Sequence, residues 1–235
     1  MDINNYKGFI TAEYLMGPNS MRVLDELLTR YPLTLTKEDM ILDLGCGKGL
    51  TSMVLAKETP AKIVANDLWI SEEENDANFA KWDVSEKVKA MQADASVAEF
   101  AKGRFSALVS VDSYHYFATD PNFFAEKMLP LLRSGASVRI GIPGIKDEFD
   151  ERGEELLSPW LKEEAYMFKS PRQWKAIIGQ HERIGQVVTW EMGCFEPAWQ
   201  DWFSTGHEYA IADQAVYEDI IEPYSCFVGI AFEVK

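Results

Sequence analysis

The run Asp43-Leu44-Gly45-Cys46-Gly47-Lys48-Gly49 sets three glycines at alternate positions. Each missing side chain removes a steric barrier, so the backbone can come close to a ligand at the start of a helix. A nucleotide-like cofactor suits such a turn. A dinucleotide fold would set its third glycine at position 50, which here is Leu50, so a nicotinamide dinucleotide is disfavoured. Asp67 lies 18 residues beyond Gly49 and closes an apolar run, where a carboxylate can accept from both hydroxyls of a ribose. Asp94 closes the next run and can accept from an adenine amino group while the Ala95 N–H donates to the ring. Cys46 reads either as a small residue filling a tight bend or as a thiol activated by a helix N-terminus.

A second group surrounds the end of the fourth apolar run. His115 is the histidine nearest that end, and an imidazole can act as general base toward a hydroxyl without much tuning. An amine acceptor would instead need deprotonation or desolvation, and alignment. Tyr114, Tyr116 and Phe117 either line a substrate pocket or start a helix with their rings in the core. Asp112 either borders the ligand or caps the next helix. Trp69 and Tyr14 are further candidates for substrate contact, Tyr14 with Met16 and Gly17 as a lid before Pro18 or as terminal packing. No residues show metal-ligand spacing.

Placing these residues requires alternating strands and helices. MILDLG, KIVANDL, KVKAMQAD and SALVSVDS read as strands, followed by ASVRIGIPG, IGQVVTWEM and YSCFVGIAFEV. Val23, Leu24, Leu27, Leu28 and Tyr31 share one helical face, with Asn19 or Ser20 as cap. Helices are also predicted for LTSMVLAKE, for residues 121–133, for PRQWKAIIGQH behind a Ser170 cap, and around Ile211, Ala215, Val216 and Ile220. Nearly continuous apolar strands alternating with helices imply a parallel sheet covered on both faces, with ligands at the strands' carboxyl ends.

Together, ILDLGCGKG, VANDL, MQADAS, FSALVSVDSYHYF and LLRSGASVRIGIPG resemble the class I S-adenosylmethionine-dependent methyltransferase family, over roughly residues 40–144. The resemblance implies an α/β fold, a Rossmann-like three-layer α/β/α sandwich whose mostly parallel seven-stranded sheet ends in an antiparallel strand. It also implies S-adenosylmethionine as cofactor. Asp43, Gly45 and Cys46 would face the methionine part, and Gly47 and Gly49 would allow close approach. Asp67 would take the ribose, with Leu68 beside it also at the cofactor, Asp94 and Ala95 the adenine, and Asp112 would border the methionine end. Ser106, Tyr116, Ser134 and Ala136 depart from the family's common residues.

The 235 residues, 47% apolar and 26% charged, suffice for one domain with a full core. Residues 1–39 are expected to form a helical cap or lid, 40–144 the cofactor core, 145–202 an excursion over the substrate side, and 203–235 a final helix and strand. A net charge of -15 repels phosphate backbones and anionic membranes. The acidic run Asp147, Glu148, Asp150, Glu151, Glu154 and Glu155 is either a solvated surface or a device steering a cationic substrate. Three widely spaced cysteines read as reduced thiols. With no spanning helix and no secretory pattern at the start, a cytoplasmic monomer or homodimer is expected. The expected activity is methyl transfer to a small-molecule oxygen or nitrogen. A protein or RNA methyltransferase and a non-catalytic cofactor-binding module are the alternatives.

Overall fold

Runs that are apolar at nearly every position form the middle of a single sheet, because a strand covered by helices on both faces has no solvent side. The computed structural model describes residues 2–117, 120–179 and 181–235. Met1 and Gln180, which the expected N-terminal cap and the helix from Pro171 included, lie outside them. The strands are β1 (Met40–Leu44), β2 (Lys62–Asp67), β3 (Val88–Gln92), β4 (Phe105–Val111), β5 (Leu132–Ile145), β6 (Val188–Glu191) and β7 (Ser225–Glu233). Their order is β3-β2-β1-β4-β5-β7-β6. Only β7 opposes its neighbours. This is the Rossmann-like sandwich with an antiparallel last strand.

The register aligns the functional ends. Asp43 stands opposite Ala65 and Val109, Asp67 opposite Gln92, and Val111 opposite Gly141. Residues 45, 67, 93 and 112 therefore emerge along one edge of the sheet. The chain reverses its direction of winding between β1 and β4, and the crevice at such a switch point is where a ligand fits.

Helices α1 (Ser20–Arg30), α2 (Leu50–Glu58), α3 (Glu72–Lys81), α4 (Gly153–Leu161), α5 (Pro171–Ile178), α6 (Phe195–Ser204) and α7 (Glu208–Gln214) cover the sheet. α1 reaches β5 because Gly141 has no side chain: a Cβ there would lie 2.4 Å from Val23 Cγ1. Asn19 is the α1 cap and accepts from the Met21 N–H at 3.0 Å. α5 starts at a reciprocal Ser170–Gln173 capping box. Ser106 donates to Asp39 at 2.7 Å, and this bond with the Thr36 N–H holds the buried Asp39 carboxyl down to about 2. No helix among the described residues is long and apolar enough to cross a membrane.

Three of the expected elements take another form. Residues 121–133 give only a π-helical turn at Phe124–Met128 and a 3-10 turn at Leu129–Leu131. Pro130 has no N–H with which to continue a helix, so β5 begins at Leu132 and takes in Arg133, Ser134 and Gly135. The helix expected around residues 211–220 is broken at Val216 (φ −118°, ψ 5°), after which a π-helical turn spans Tyr217–Ile221. β3 stops at Gln92, two residues before Asp94.

Trp190 and Trp199 are packing residues. Trp190 lies over Gly229, and its indole donates to Glu26 on α1 at 2.9 Å. Trp199 is buried against Trp160 and Tyr217. The acidic run is partly paired by Arg172, which bonds Asp147 and Asp150.

Asn19 also donates to Asp201 on α6 at 2.7 Å, so one buried amide both caps α1 and ties it to α6. Replacing Asn19 with Ala is expected to cost about 1–2 kcal/mol, read as a lower denaturant midpoint at unchanged slope.

Candidate functional site

The turn after β1 needs its glycines. Gly45, Gly47 and Gly49 have φ values of 72°, 54° and 86°, a region where other residues are strained. A Cβ on Gly45 would fall 1.8 Å from Ser113 Oγ, and one on Gly49 would fall 2.5 Å from Phe79 Cε1. The turn is thus pressed between the end of β4 and the body of α3.

Helix α3 supplies polar clamps as well as Phe79. Asn75 is buried and donates to the Gly47 carbonyl at 3.0 Å. Asn78 donates to the Lys48 carbonyl at 3.2 Å. The sequence reading missed this helix. Its signal was Ser71, three residues before Glu74: the Ser71 hydroxyl accepts from the Glu74 N–H, and Glu72, Glu73 and Glu74 crowd the first turn. Lys48 extends the other way, donating to the Glu13 carbonyl at 2.6 Å and fastening the N-terminal segment over the turn.

Four carboxyl groups reach the strand ends in different states. Asp67 accepts from the N–H groups of Gly47 (2.8 Å), Trp69 (2.8 Å) and Ile70 (3.0 Å). Asp43 is fully buried. Its Oδ2 accepts from Thr51 (2.7 Å) and Ser52 (2.6 Å), and Oδ1 has no partner among the described residues. Burial, reinforced by the charge of Asp67, pushes the Asp43 carboxyl up to about 6. Asp94 accepts from the Ser96 hydroxyl and N–H at 2.6 and 2.8 Å, which lowers its proton affinity. Asp112 is half-buried with φ 54°, and no donor to its carboxyl is found among the described residues. Its desolvation and the nearby charge of Asp213 push it up to about 7.

Three of these groups, Asp67, Asp94 and Asp112, border one continuous cleft, and Asp43 lies buried behind it. A recess of about 720 Å³ holds Gly45, Cys46, Gly47, Asp67 and Asp112 with Tyr14, Met16 and Gly17 of the N-terminal segment. An adjoining recess of about 470 Å³ holds Leu68, Asp94 and Ala95. Gly45, Asp67, Trp69, Ser113 and Tyr116 belong to both. Trp69 and Tyr116 are exposed and meet edge to face, with centroids 5.2 Å apart. A larger recess of about 1280 Å³ runs along β3, the edge strand, and contains none of these groups.

Two expected site residues stand behind the cleft wall. Tyr114 is buried among Phe123, Phe124 and Trp174. His115 is 5% exposed, packs on Tyr116 and Phe168, and lines neither recess. Burial brings its imidazole down to about 3, so the ring is neutral. Tyr14 does reach the cleft, with its ring packed on Trp82 and Lys81 bonded to its hydroxyl. The Cys46 thiol is raised well above its ordinary range, first by burial and then by Asp43 and Asp67. It therefore fills space in the turn and is not an activated nucleophile.

Residues 41–135 match the family model described as a methyltransferase domain. No curated protein sequence matches the chain. Solved structures share the fold over most of its length. One is a protein from Galdieria sulphuraria provisionally assigned as a sarcosine dimethylglycine methyltransferase, with 13% identity, coverage of 91% of this chain and 84% of that one, and a TM-score of 0.72. Geranyl diphosphate C-methyltransferase from Streptomyces coelicolor A3(2), solved with Mg2+, geranyl diphosphate and S-adenosyl-L-homocysteine, gives 14%, 92%, 79% and 0.69. Phosphoethanolamine N-methyltransferase 2 from Haemonchus contortus, solved with S-adenosyl-L-methionine, gives 16%, 99%, 56% and 0.70.

The raised Asp112 carboxyl has a consequence for stability. Between its ordinary value of 3.8 and about 7 the folded chain keeps a proton that the unfolded chain has released. This contribution to stability is present at low pH and is lost as pH rises through that window. Asp112→Asn removes the dependence, so the melting temperature of the variant relative to the parent is expected to climb from about pH 5 to about pH 8.

Proposed function

We propose that this chain is a class I S-adenosylmethionine-dependent methyltransferase that methylates a small molecule at nitrogen or oxygen, the acceptor entering beneath the N-terminal segment. Its cofactor is S-adenosylmethionine. The observation that carries the reading is the cradle itself. Three glycines at positive φ form a turn too tight for side chains, and the cleft it opens onto runs past Asp67 to Asp94 in one direction and to Asp112 in the other.

The residues present fit that cofactor. Asp67 accepts three N–H bonds, and two carboxylate oxygens offer about four lone-pair sites, so capacity remains for a ribose hydroxyl. Leu68, Asp94 and Ala95 border the recess suited to a flat base. Asp43, Gly45, Cys46, Gly47 and Gly49 form or back the end suited to the methionine part, and Asp43 Oδ1 is a buried acceptor with no donor among the described residues. When bound, the cofactor supplies an electrophilic methyl group on a sulfonium. The chain's own work is then alignment and exclusion of water. Tyr14 and Met16 cover the cleft from the N-terminal side, and Trp69 and Tyr116 stand across its mouth. We assign no proton transfer to His115, whose ring is held neutral behind Tyr116, and no substrate contact to Tyr114.

The fold's neighbours carry names for acceptors as different as geranyl diphosphate and phosphoethanolamine. Acceptor choice is therefore sought in this chain's residues beyond the cradle, at Asp112 and in the segments that face it.

Asp67→Ala tests the cradle. Calorimetry with S-adenosylhomocysteine is expected to show affinity reduced at least about tenfold, the loss of a hydrogen bond to a charged group being worth about 1.5–3 kcal/mol. Affinity at the parent level would remove the ribose assignment.

A further inference from the structure

One polar side chain on the inner face of α3 is ill suited to its surroundings. α3 turns Asn75 and Phe79 inward, one helical turn apart, and Phe79 packs against Gly49 as an apolar residue should. Asn75 is 2% exposed. Its Nδ2 donates to the Gly47 carbonyl at 3.0 Å, and its Oδ1 is a buried acceptor with no donor among the described residues. A buried acceptor without a donor is costly, and a leucine of similar volume would fill the space without one. What the asparagine adds is donation to the Gly47 carbonyl, the Cys46 sulfur at 3.6 Å being its other neighbour.

That carbonyl belongs to the middle peptide of a tight turn. The Gly49 N–H donates to the Cys46 carbonyl at 2.9 Å, which leaves Gly47 and Lys48 as the two central residues. Turns closed by this bond exist in forms that differ by a flip of the middle peptide, and a glycine, free to take either sign of φ, gives access to them. A trans peptide points its C=O and N–H in opposite directions, and no peptide bond among the described residues is cis. With the Gly47 carbonyl turned toward α3, the Lys48 N–H is therefore turned away from α3. No acceptor for it is found among the described residues, and Lys48 lines the recess beside Gly47 and Asp67. The flipped peptide would present a carbonyl there, which repels any acceptor atom of a ligand. Gly47 is also held from its other side, because its N–H donates to Asp67 at 2.8 Å. Asn75 and Asp67 thus grip the two peptide units that flank one α-carbon.

We propose that Asn75 is a positioning residue for cofactor binding: it locks the Gly47–Lys48 peptide in the orientation that leaves the Lys48 N–H free as a donor to S-adenosylmethionine. The inference rests on the cofactor reading and adds to it a residue that lines neither recess of the cleft. Asn75 acts only through the turn. Asn78, one helical turn nearer the end of α3, holds the Lys48 carbonyl at 3.2 Å and sets the following peptide.

The test uses the full chain, isotope-labelled for amide NMR and titrated with S-adenosylhomocysteine. In the parent the Lys48 amide proton is expected to move downfield at saturation, as an N–H does on gaining an acceptor. Asn75→Leu is expected to melt within a few degrees of the parent, yet to bind S-adenosylhomocysteine at least about tenfold more weakly by calorimetry well below the melting temperature. A residue serving the fold alone would change the melting temperature and leave that affinity as it was. Asn75→Asp keeps the shape but not the N–H, is expected to lose affinity likewise, and supplies the comparison if the leucine variant does not fold. Parent-level affinity in either folded variant overturns the proposal. So does a Lys48 amide that stays in place when the parent is saturated, and that spectrum decides even where neither variant folds. A parent chain that binds no S-adenosylhomocysteine instead overturns the cofactor reading, and the role of Asn75 with it.

Discussion

The Asp67 carboxylate joins two loops that would otherwise be independent. One oxygen accepts from Gly47 in the turn after β1, and the other accepts from Trp69 and Ile70 in the turn after β2. A charged acceptor with three backbone donors makes short, strong bonds, and here they set the distance between the two strand ends. From that junction the rest of the cleft follows. Gly47 is fixed beneath Met16, Trp69 is placed opposite Tyr116, and the glycine turn is presented to α3, where Asn75 and Asn78 grip its carbonyls. The same junction imposes a cost one strand away. Asp43 lies buried beside this negative charge, and its elevated proton affinity shows that two hydroxyl donors do not fully offset burial and repulsion.

Legibility in the sequence follows the physics of each element. β1, β2, β4 and β7 were readable because strands covered on both faces are nearly continuous apolar runs. The glycine turn was readable because only glycine tolerates those backbone angles at such close approach. Helix α3 was not, because the face it turns inward consists of Asn75 and Phe79. One of these is polar, and no apolar stripe of period 3.6 can be drawn through it. Its evidence lay in the cap, Ser71 with Glu74, a signal independent of hydrophobic pattern. The helix expected over residues 121–133 failed for the converse reason: its apolar spacing was good, but Pro130 cannot donate to a preceding carbonyl.

Within the site, the acidic strand ends could be placed from sequence because strand termini converge on one edge of a parallel sheet. The order of the aromatic residues after Asp112 could not. Tyr114, His115, Tyr116 and Phe117 occupy a short 3-10 turn, with three residues per turn and a direction set by the backbone at Asp112. Its positive φ rotates the chain so that Tyr114 and His115 point into the core and Tyr116 points to the cleft. No residue type in Tyr-His-Tyr-Phe distinguishes this phase from the others. The general-base reading of His115 rested on that undetermined phase.

Asp112 therefore divides the cleft in more than position. On its β1 side the walls are largely backbone: glycine φ angles, N–H groups satisfied by Asp67, and carbonyls held by asparagines of α3. Such a surface follows the fold's topology and is compatible with the low identities at which the fold recurs. Toward its mouth the walls are side chains, those of Tyr14, Met16, Trp69 and Tyr116. A wall of side chains can change without disturbing the turn after β1, so the cofactor end can stay constant while the acceptor end varies. Asp112, at positive φ and with no donor to its carboxyl among the described residues, stands at the boundary between the two. The sheet gains nothing from it that an asparagine would not supply.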